Sequence, residues 1–262
     1  MTIPGDKASV ALERRAIRAD HLAGVSAVAS SQLRFAGGLY RAQSRVAEGL
    51  ERGGNLQGVL EADAPSFIPL AGIVVSYIAE AAPDPLGQEA RKRVGEDDAT
   101  LLERLLVFWR GTSPHYLCRA SLRPYVEVLA SLRRAPDRLH REGFCPFCGG
   151  APWIGMRREE PDSEATRRFF GCALCGGEWR WSRVGCPTCG ETSPEKLPSF
   201  ANDKYPTARI EACETCRRYV KTIDLTADPL QVPEVDDLLS LSLDLWAVDQ
   251  EFERIEAGTA GL

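Results

Sequence analysis

The apolar positions of this chain follow a helical period up to about residue 140, and alternate in short strand-like runs between Arg141 and Lys221. Residues 1 to about 8 carry no pattern and read as a loose end. From about Ala11 to Leu50 the chain is rich in Ala, Leu, Arg and Gln, all good helix formers. Gly24 and Gly37-Gly38 mark breaks or points of close packing, and two helices are expected there. After the loop ERGGNLQG, Ser66 is placed to cap an apolar helix that runs to about Ala81 and is ended by APDP. A short helix is expected in PLGQEARKRV. Another starts at Asp97 or Asp98, carries Leu101, Leu102, Leu105, Leu106 and Trp109 along one face, and stops at Gly111. Ser113 and Pro114 supply a cap and first-turn signal for the next, whose stripe is Leu117, Leu122, Tyr125, Val126 and Leu129; Pro124 should kink or split it. Short connections between these elements predict a bundle.

Beyond Arg141 glycine, proline, tryptophan and cysteine become frequent, and RRFFGC, GEWRWSRVGC and RYVKTIDL alternate as strands do. In GEWRWSRV, Trp179, Trp181 and, less clearly, Arg183 project to one face, where stacked aromatics would serve as core for a small ribbon. The chain then returns to helical spacing: Leu238, Leu241, Leu245, Val248 and Phe252 define one amphipathic helix, with Asp236 and Asp237 at its positive end. The last residues, AGTAGL, read as a disordered tail. The fold class is therefore α+β: a helical domain over 1–140, metal modules over 141–182 and 183–226, and a C-terminal helix with its tail over 227–262.

The modules are defined by cysteine. Eight of the nine cysteines form four CxxC pairs, Cys145/Cys148, Cys172/Cys175, Cys186/Cys189 and Cys213/Cys216, and the second two repeat the first two at an offset of 41 residues. A CxxC knuckle turns both sulfurs toward one point, and two knuckles complete a tetrahedral S4 shell. Pairing in sequence order closes the shorter loops and is expected; interleaved pairing is the alternative. Gly149, Gly176 and Gly190 follow their knuckles, where a residue must take positive φ, whereas Arg217 holds that place in the fourth. Four thiolates suit zinc and rubredoxin-type iron alike. Cys118 reads as a small buried apolar residue.

Composition narrows the function. The 44% hydrophobic content is that of a globular protein, and the net charge is −5 with cysteines counted neutral. From Arg141 to Lys221 there are 13 Lys plus Arg against 11 Asp plus Glu, a surplus that two divalent S4 centres would turn negative. That is not the footprint of a phosphate-binding surface, so nucleic acid is not the expected partner. The most apolar stretch, Phe67 to Ala82, is too short to span a bilayer and predicts no membrane insertion. The first fifteen residues lack a secretory pattern, which points to the cytoplasm, where structural disulfides are disfavoured. Walker A, GxGxxG and HExxH sequences are absent. His21, His115 and His140 are scattered and read as surface or capping residues, and the paired aspartates read as helix starts. A closed S4 shell leaves no open metal position for hydrolysis.

The order CPFCGGAPWIG, RRFFGCALCGGEW, CPTCGE and IEACETCRRYVKTIDL, preceded by LCRASLRPYVEVLA and followed by VPEVDDLLSLSLDLWAVDQEF, resembles the FdhE family of formate dehydrogenase accessory proteins over roughly residues 100 to 254. The resemblance implies a helical N-terminal domain, two rubredoxin-like modules with iron or zinc on the eight cysteines, and cytoplasmic location. It also implies binding to the catalytic subunit of a molybdenum- or tungsten-containing formate dehydrogenase during maturation, without turnover of its own. Two other readings are a rubredoxin-like redox protein that passes electrons to the immature enzyme and a nucleic-acid-binding zinc ribbon. Whether the chain forms a homodimer is left open.

Overall fold

The computed structural model describes residues 5–111, 115–160 and 163–261. Six helices come first: α1 (Ala8–Val25), α2 (Ser30–Gly53), α3 (Leu60–Ala81), α4 (Leu86–Arg91), α5 (Asp98–Arg110) and α6 (Tyr116–Ser131). Their apolar faces close on α6, which is buried at every position from Leu117 to Ala130. Gly38 lets α2 approach α3, since a Cβ there would lie 2.1 Å from the Tyr77 hydroxyl oxygen.

Local chemistry explains most of the helix ends. The Asp97 carboxylate accepts the Thr100 N–H at 2.9 Å and caps α5, while Gly111 ends it. The Ser113 and Pro114 signals lie outside the described residues; His115 caps α6 instead, its Nδ1 accepting the Cys118 N–H at 3.4 Å. Pro124 neither splits nor ends α6. Helix α3 departs further from expectation. It begins at Leu60 rather than Ser66 and runs through Pro65 and Pro69 to 22 residues. The buried Asp63 carboxylate secures its entry by accepting the Gln57 and Gly58 N–H groups and the Tyr125 hydroxyl. Among the described residues α3 is the one helix long and apolar enough to cross a membrane by length and composition, but Phe67, Ala71, Val74 and Ile78 are fully buried in the bundle core.

The strands are β1 (Pro152–Glu160), β2 (Ser163–Cys172), β3 (Glu178–Trp181), β4 (Ser199–Ala201), β5 (Ala208–Ala212), β6 (Arg218–Asp224) and β7 (Glu253–Arg254). They form one sheet in the order β3-β2-β1-β6-β5-β4, with β7 added beside β6. The two ribbons expected as tandem modules are thus joined edge to edge, through a parallel pairing of Ile154, Gly155, Met156 and Arg157 with Lys221, Thr222, Ile223 and Asp224. Trp179 and Trp181 share a face with Phe170, at ring distances of 5.8 and 6.0 Å, and form the aromatic core of the first ribbon.

The C-terminal segment corrects two expectations. The single amphipathic helix is instead α7 (Pro233–Asp236), a 3-10 turn (Asp237–Ser240) and α8 (Leu241–Asp249). Leu245 and Val248 are each 54% exposed, whereas Asp236, Asp237 and Asp244 are buried. Cations set this register: Arg18 holds Asp236, and Lys221 with Arg254 holds Asp237 and Asp244. The tail is not loose. Glu256 pairs with Arg119 Nε at 3.2 Å, and the Thr259 carbonyl accepts the Tyr116 hydroxyl at 2.6 Å.

Candidate metal centres

The eight CxxC sulfurs gather into two groups, Cys145, Cys148, Cys172 and Cys175, and Cys186, Cys189, Cys213 and Cys216, each with its ligand atoms within 4.8 Å of one another. The knuckles group in sequence order. Each turn is built alike: Gly149 N–H bonds the Cys145 carbonyl, Gly176 the Cys172 carbonyl and Gly190 the Cys186 carbonyl. The three glycines take φ of 66°, 64° and 76°, as the motif requires, and Arg217 adopts the same left-handed turn at 56°. Arg217 is held there by Glu214, by the Gln250 carbonyl, and by the Phe252 ring, whose centre lies 3.8 Å from its guanidinium carbon.

The donor geometry fits a metal ion. Zinc–sulfur bonds of about 2.3 Å in a tetrahedron place sulfurs about 3.8 Å apart. Opposed sulfurs lie 3.6 and 3.3 Å apart in the first group and 3.6 and 3.7 Å in the second. The first set is slightly tighter, and backbone N–H groups of Leu174, Cys175 and Gly177 already point at its sulfurs. The thiols titrate unequally. Hydrogen bonds from Cys148, Cys172 and Cys175 pull the Cys145 thiol down, whereas burial pushes Cys148 up. Crowded sulfurs that compete for negative charge are a site that a divalent cation relieves. Each group could therefore hold one metal ion, and the donor set leaves iron and zinc equally eligible.

The two centres differ in setting. All four cysteines of the first are at most 1% exposed and belong to the same core as the helices. Behind its second knuckle, a Cβ on Gly176 would meet Arg15 Nη2 at 2.7 Å. Arg15 pairs with Glu127 at 2.8 Å and with Glu234 at 2.9 Å, and Arg123 joins both carboxylates. This network fastens α1 and α6 to the C-terminal segment beside the first centre. Burial disfavours the charge on Glu127, but Arg15 and Arg123 outweigh it and hold the carboxyl below its ordinary value. At the second centre Cys189 is exposed and Cys216 partly so. Glu191 ties its two knuckles, accepting from the Thr215 hydroxyl and the Ser193 N–H, which pull its carboxyl down to about 2.

The cysteine spacing singled out the eight residues that gather here, but not the charged residues behind them. Arg15, Glu127, Lys221 and Asp244 are buried, although residues of these types are mostly exposed. The i,i+4 spacing of Arg119, Arg123 and Glu127 on α6 was the available signal. Cys118 meets its expectation: it is buried and burial pushes its thiol up to about 11.

A helical bundle joined to a sheet that carries two four-cysteine groups, each able to hold a metal ion, defines a class of metal-binding protein. Residues 144–183 match the family model "FdhE, central domain" and residues 184–259 match "FdhE, C-terminal domain". Residues 144–259 are thus similar to the central and C-terminal domains of the FdhE family. Curated relatives named "Protein FdhE homolog" include one from Aquifex aeolicus, 35% identical over 140 residues, which covers 53% of this chain and 49% of the relative. Another, from Haemophilus influenzae, is 25% identical and covers 76% and 63%. The matched region thus spans less than two thirds of either relative. The fold is similar to the crystal structure of the FdhE protein from Pseudomonas aeruginosa, with a TM-score of 0.69 and 20% identity over 99% of this chain and 98% of that one.

Proposed function

We propose that this protein is a non-enzymatic accessory protein for the maturation of a molybdenum- or tungsten-containing formate dehydrogenase, and that it acts by binding the catalytic subunit in the cytoplasm. Cys145, Cys148, Cys172 and Cys175 hold one metal ion, and Cys186, Cys189, Cys213 and Cys216 hold the second. The observation that carries this reading is the pair of four-cysteine groups on one sheet fastened to the helical bundle. The similarity of residues 144–259 to FdhE domains supports this choice of partner. Pairing of Arg157 and Arg168 with Glu211, Arg158 with Glu178 and Arg209 with Asp224 takes up cations that a nucleic acid would need, which disfavours the nucleic-acid reading.

Affinity purification of the tagged protein from cells that produce formate dehydrogenase tests the proposal. The catalytic subunit should co-purify, and Cys145→Ser and Cys189→Ser should each lower its yield. Cys189 is exposed, so its variant should keep wild-type far-ultraviolet circular dichroism and report on the centre rather than on global folding. Undiminished recovery with both variants would remove the metal centres from the function.

The partial exposure of the second centre favours one competing reading, a redox protein serving the immature enzyme. Bound iron would supply one-electron chemistry there, and zinc none. A colourless protein with two zinc ions per chain excludes it; a red protein with a reversible visible spectrum supports it.

A further inference from the structure

Loading the first centre buries charge. Four thiolates around one divalent ion leave a net charge of about −2, and all four cysteines are at most 1% exposed. The Leu174, Cys175 and Gly177 N–H groups answer individual sulfurs, yet a buried charge of this size is costly unless a cation lies near it. The arginines packed behind the centre are already engaged. Arg15 and Arg123 are shared by Glu127 and Glu234, and Arg119 is held by Glu256 at 3.2 Å. Arg141 is exposed to water.

Arg138 is different. It lies in the segment after α6, which packs directly on the first knuckle: a Cβ on Gly149 would lie 2.1 Å from the Leu139 carbonyl oxygen. Arg138 and Gly150 line one cavity of about 210 Å³. Gly150 is the backbone that separates this cavity from the sulfurs, since an added Cβ would lie 2.6 Å from Cys172 Sγ and 3.3 Å from Cys148 Sγ. The guanidinium carbon is 5.0 Å from the centre of the Trp109 ring and 5.4 Å from that of Phe108, so the aromatic surfaces hold the cation in place. Its Nε and Nη1 are sealed from solvent without a hydrogen-bond partner, and among the described residues Arg138 forms no salt bridge. Burial works against its charge, and Cys148 and Cys172 favour it ahead of Glu256. We propose that Arg138 is the counter-charge of the first centre, acting through space on Cys148 and Cys172 to strengthen retention of the ion and, with iron bound, to raise its reduction potential. This inference rests on metal occupancy of the first centre, as proposed above, and does not depend on the partner.

Potentiometry of the iron-loaded full-length protein tests the role. A nearby cation favours the ferrous state, which carries one more negative charge than the ferric state. Arg138→Met should therefore shift one of the two irons at least about tenfold toward ferric, a fall of about 59 mV for a one-electron couple, and leave the other unmoved. Arg138→Lys keeps the charge and should recover part of that shift. Loosening that merely admitted water would favour the more highly charged ferrous state and raise the potential, so the sign separates a counter-charge from a packing role. Competition with a chelator gives a second reading: Arg138→Met should bind one of its two zinc ions at least about tenfold more weakly, with Arg138→Lys between it and wild type. Far-ultraviolet circular dichroism checks the fold of each variant, and Arg138→Gln replaces Arg138→Met if the latter does not fold. An unchanged or raised potential, an equal shift of both irons, or equal losses in Arg138→Lys and Arg138→Met would overturn the proposal while leaving the metal centres in place. A wild-type protein without metal at Cys145, Cys148, Cys172 and Cys175 would overturn both.

Discussion

Lys221 is fully buried in the middle of β6, with its ammonium on the Asp244 carboxylate and 3.0 Å from that of Asp237. Arg254 approaches the same two carboxylates at 2.9 and 3.2 Å, and the Tyr219 hydroxyl donates to Asp244 at 3.0 Å. The four charges cancel only as a set. Lys221→Met removes one cation and leaves carboxylates under-compensated in the core, so a loss of about 3–5 kcal/mol is expected in urea unfolding. Loss of less than about 1 kcal/mol would mean that Arg254 suffices alone. The same network sets the response to acid. Burial opposes the charge on Asp237, but Arg254 and Lys221 outweigh it and hold its pKa below the ordinary 3.8, as Arg15 and Arg123 hold Glu127 below 4.5. Lowered folded values stabilise the fold fully above these ordinary values, and the contribution is lost as pH falls from there through the folded ones. Melting temperature should therefore be flat above about pH 5 and fall steeply below about pH 4; a flat profile to pH 3 would contradict the pairing. Burial of Lys221 does not announce itself in sequence, because its compensation by Asp237, Asp244 and Arg254 comes from residues distant along the chain.

At the scale of elements the parallel pairing of β1 with β6 converts two ribbons into one sheet. The strands approach closely at Gly155, where an added Cβ would lie 2.2 Å from Thr222 Oγ1. Gly155→Ala should cost about 1–3 kcal/mol through overpacking. Thr222 Oγ1 is buried without a hydrogen-bond partner, so Thr222→Ala alone should be nearly neutral, and the double variant should recover part of the loss. Strict additivity of the two changes would show that the contact is not the cause. The cysteine repeat revealed the knuckles and their order, since ligand spacing is a local property of the chain. Nothing local reveals that strands some sixty residues apart will pair, as a ribbon edge carries no partner's address. Of Leu238, Leu241, Leu245, Val248 and Phe252, the exposed Leu245 and Val248 depart from expectation for a related reason. Their spacing describes a helix that would bury apolar side chains, but burial of Asp237 and Asp244 against cations wins, and the helix breaks to permit it. In α3 Ser66 suggested a late start as a cap, and the Asp63 carboxylate, which answers N–H groups ahead of the helix, made an earlier one workable.

Over the whole molecule, the two centres that sequence makes equivalent are placed in different environments. The first is enclosed by the helices and backed by the Arg15, Glu127 and Glu234 network, so a chelator reaches its sulfurs only after the bundle and sheet separate. Cys189 of the second is open to solvent and Cys216 partly so. Metal release to excess chelator should therefore occur in two phases of equal size. One ion should leave at a rate that rises with chelator concentration, while the other leaves at the rate of global unfolding and responds to urea. Cys189→Ser should remove the fast phase and leave the slow one intact. A substitution that destabilises the fold as a whole without touching sulfur, such as Lys221→Met, should accelerate the slow phase. A single phase, or a slow phase unaffected by urea, would show that both centres open locally and that the helical domain does not guard the first. If the two phases appear, the repeated unit has been divided by its context: one copy joins the domains, and the other remains accessible at the surface.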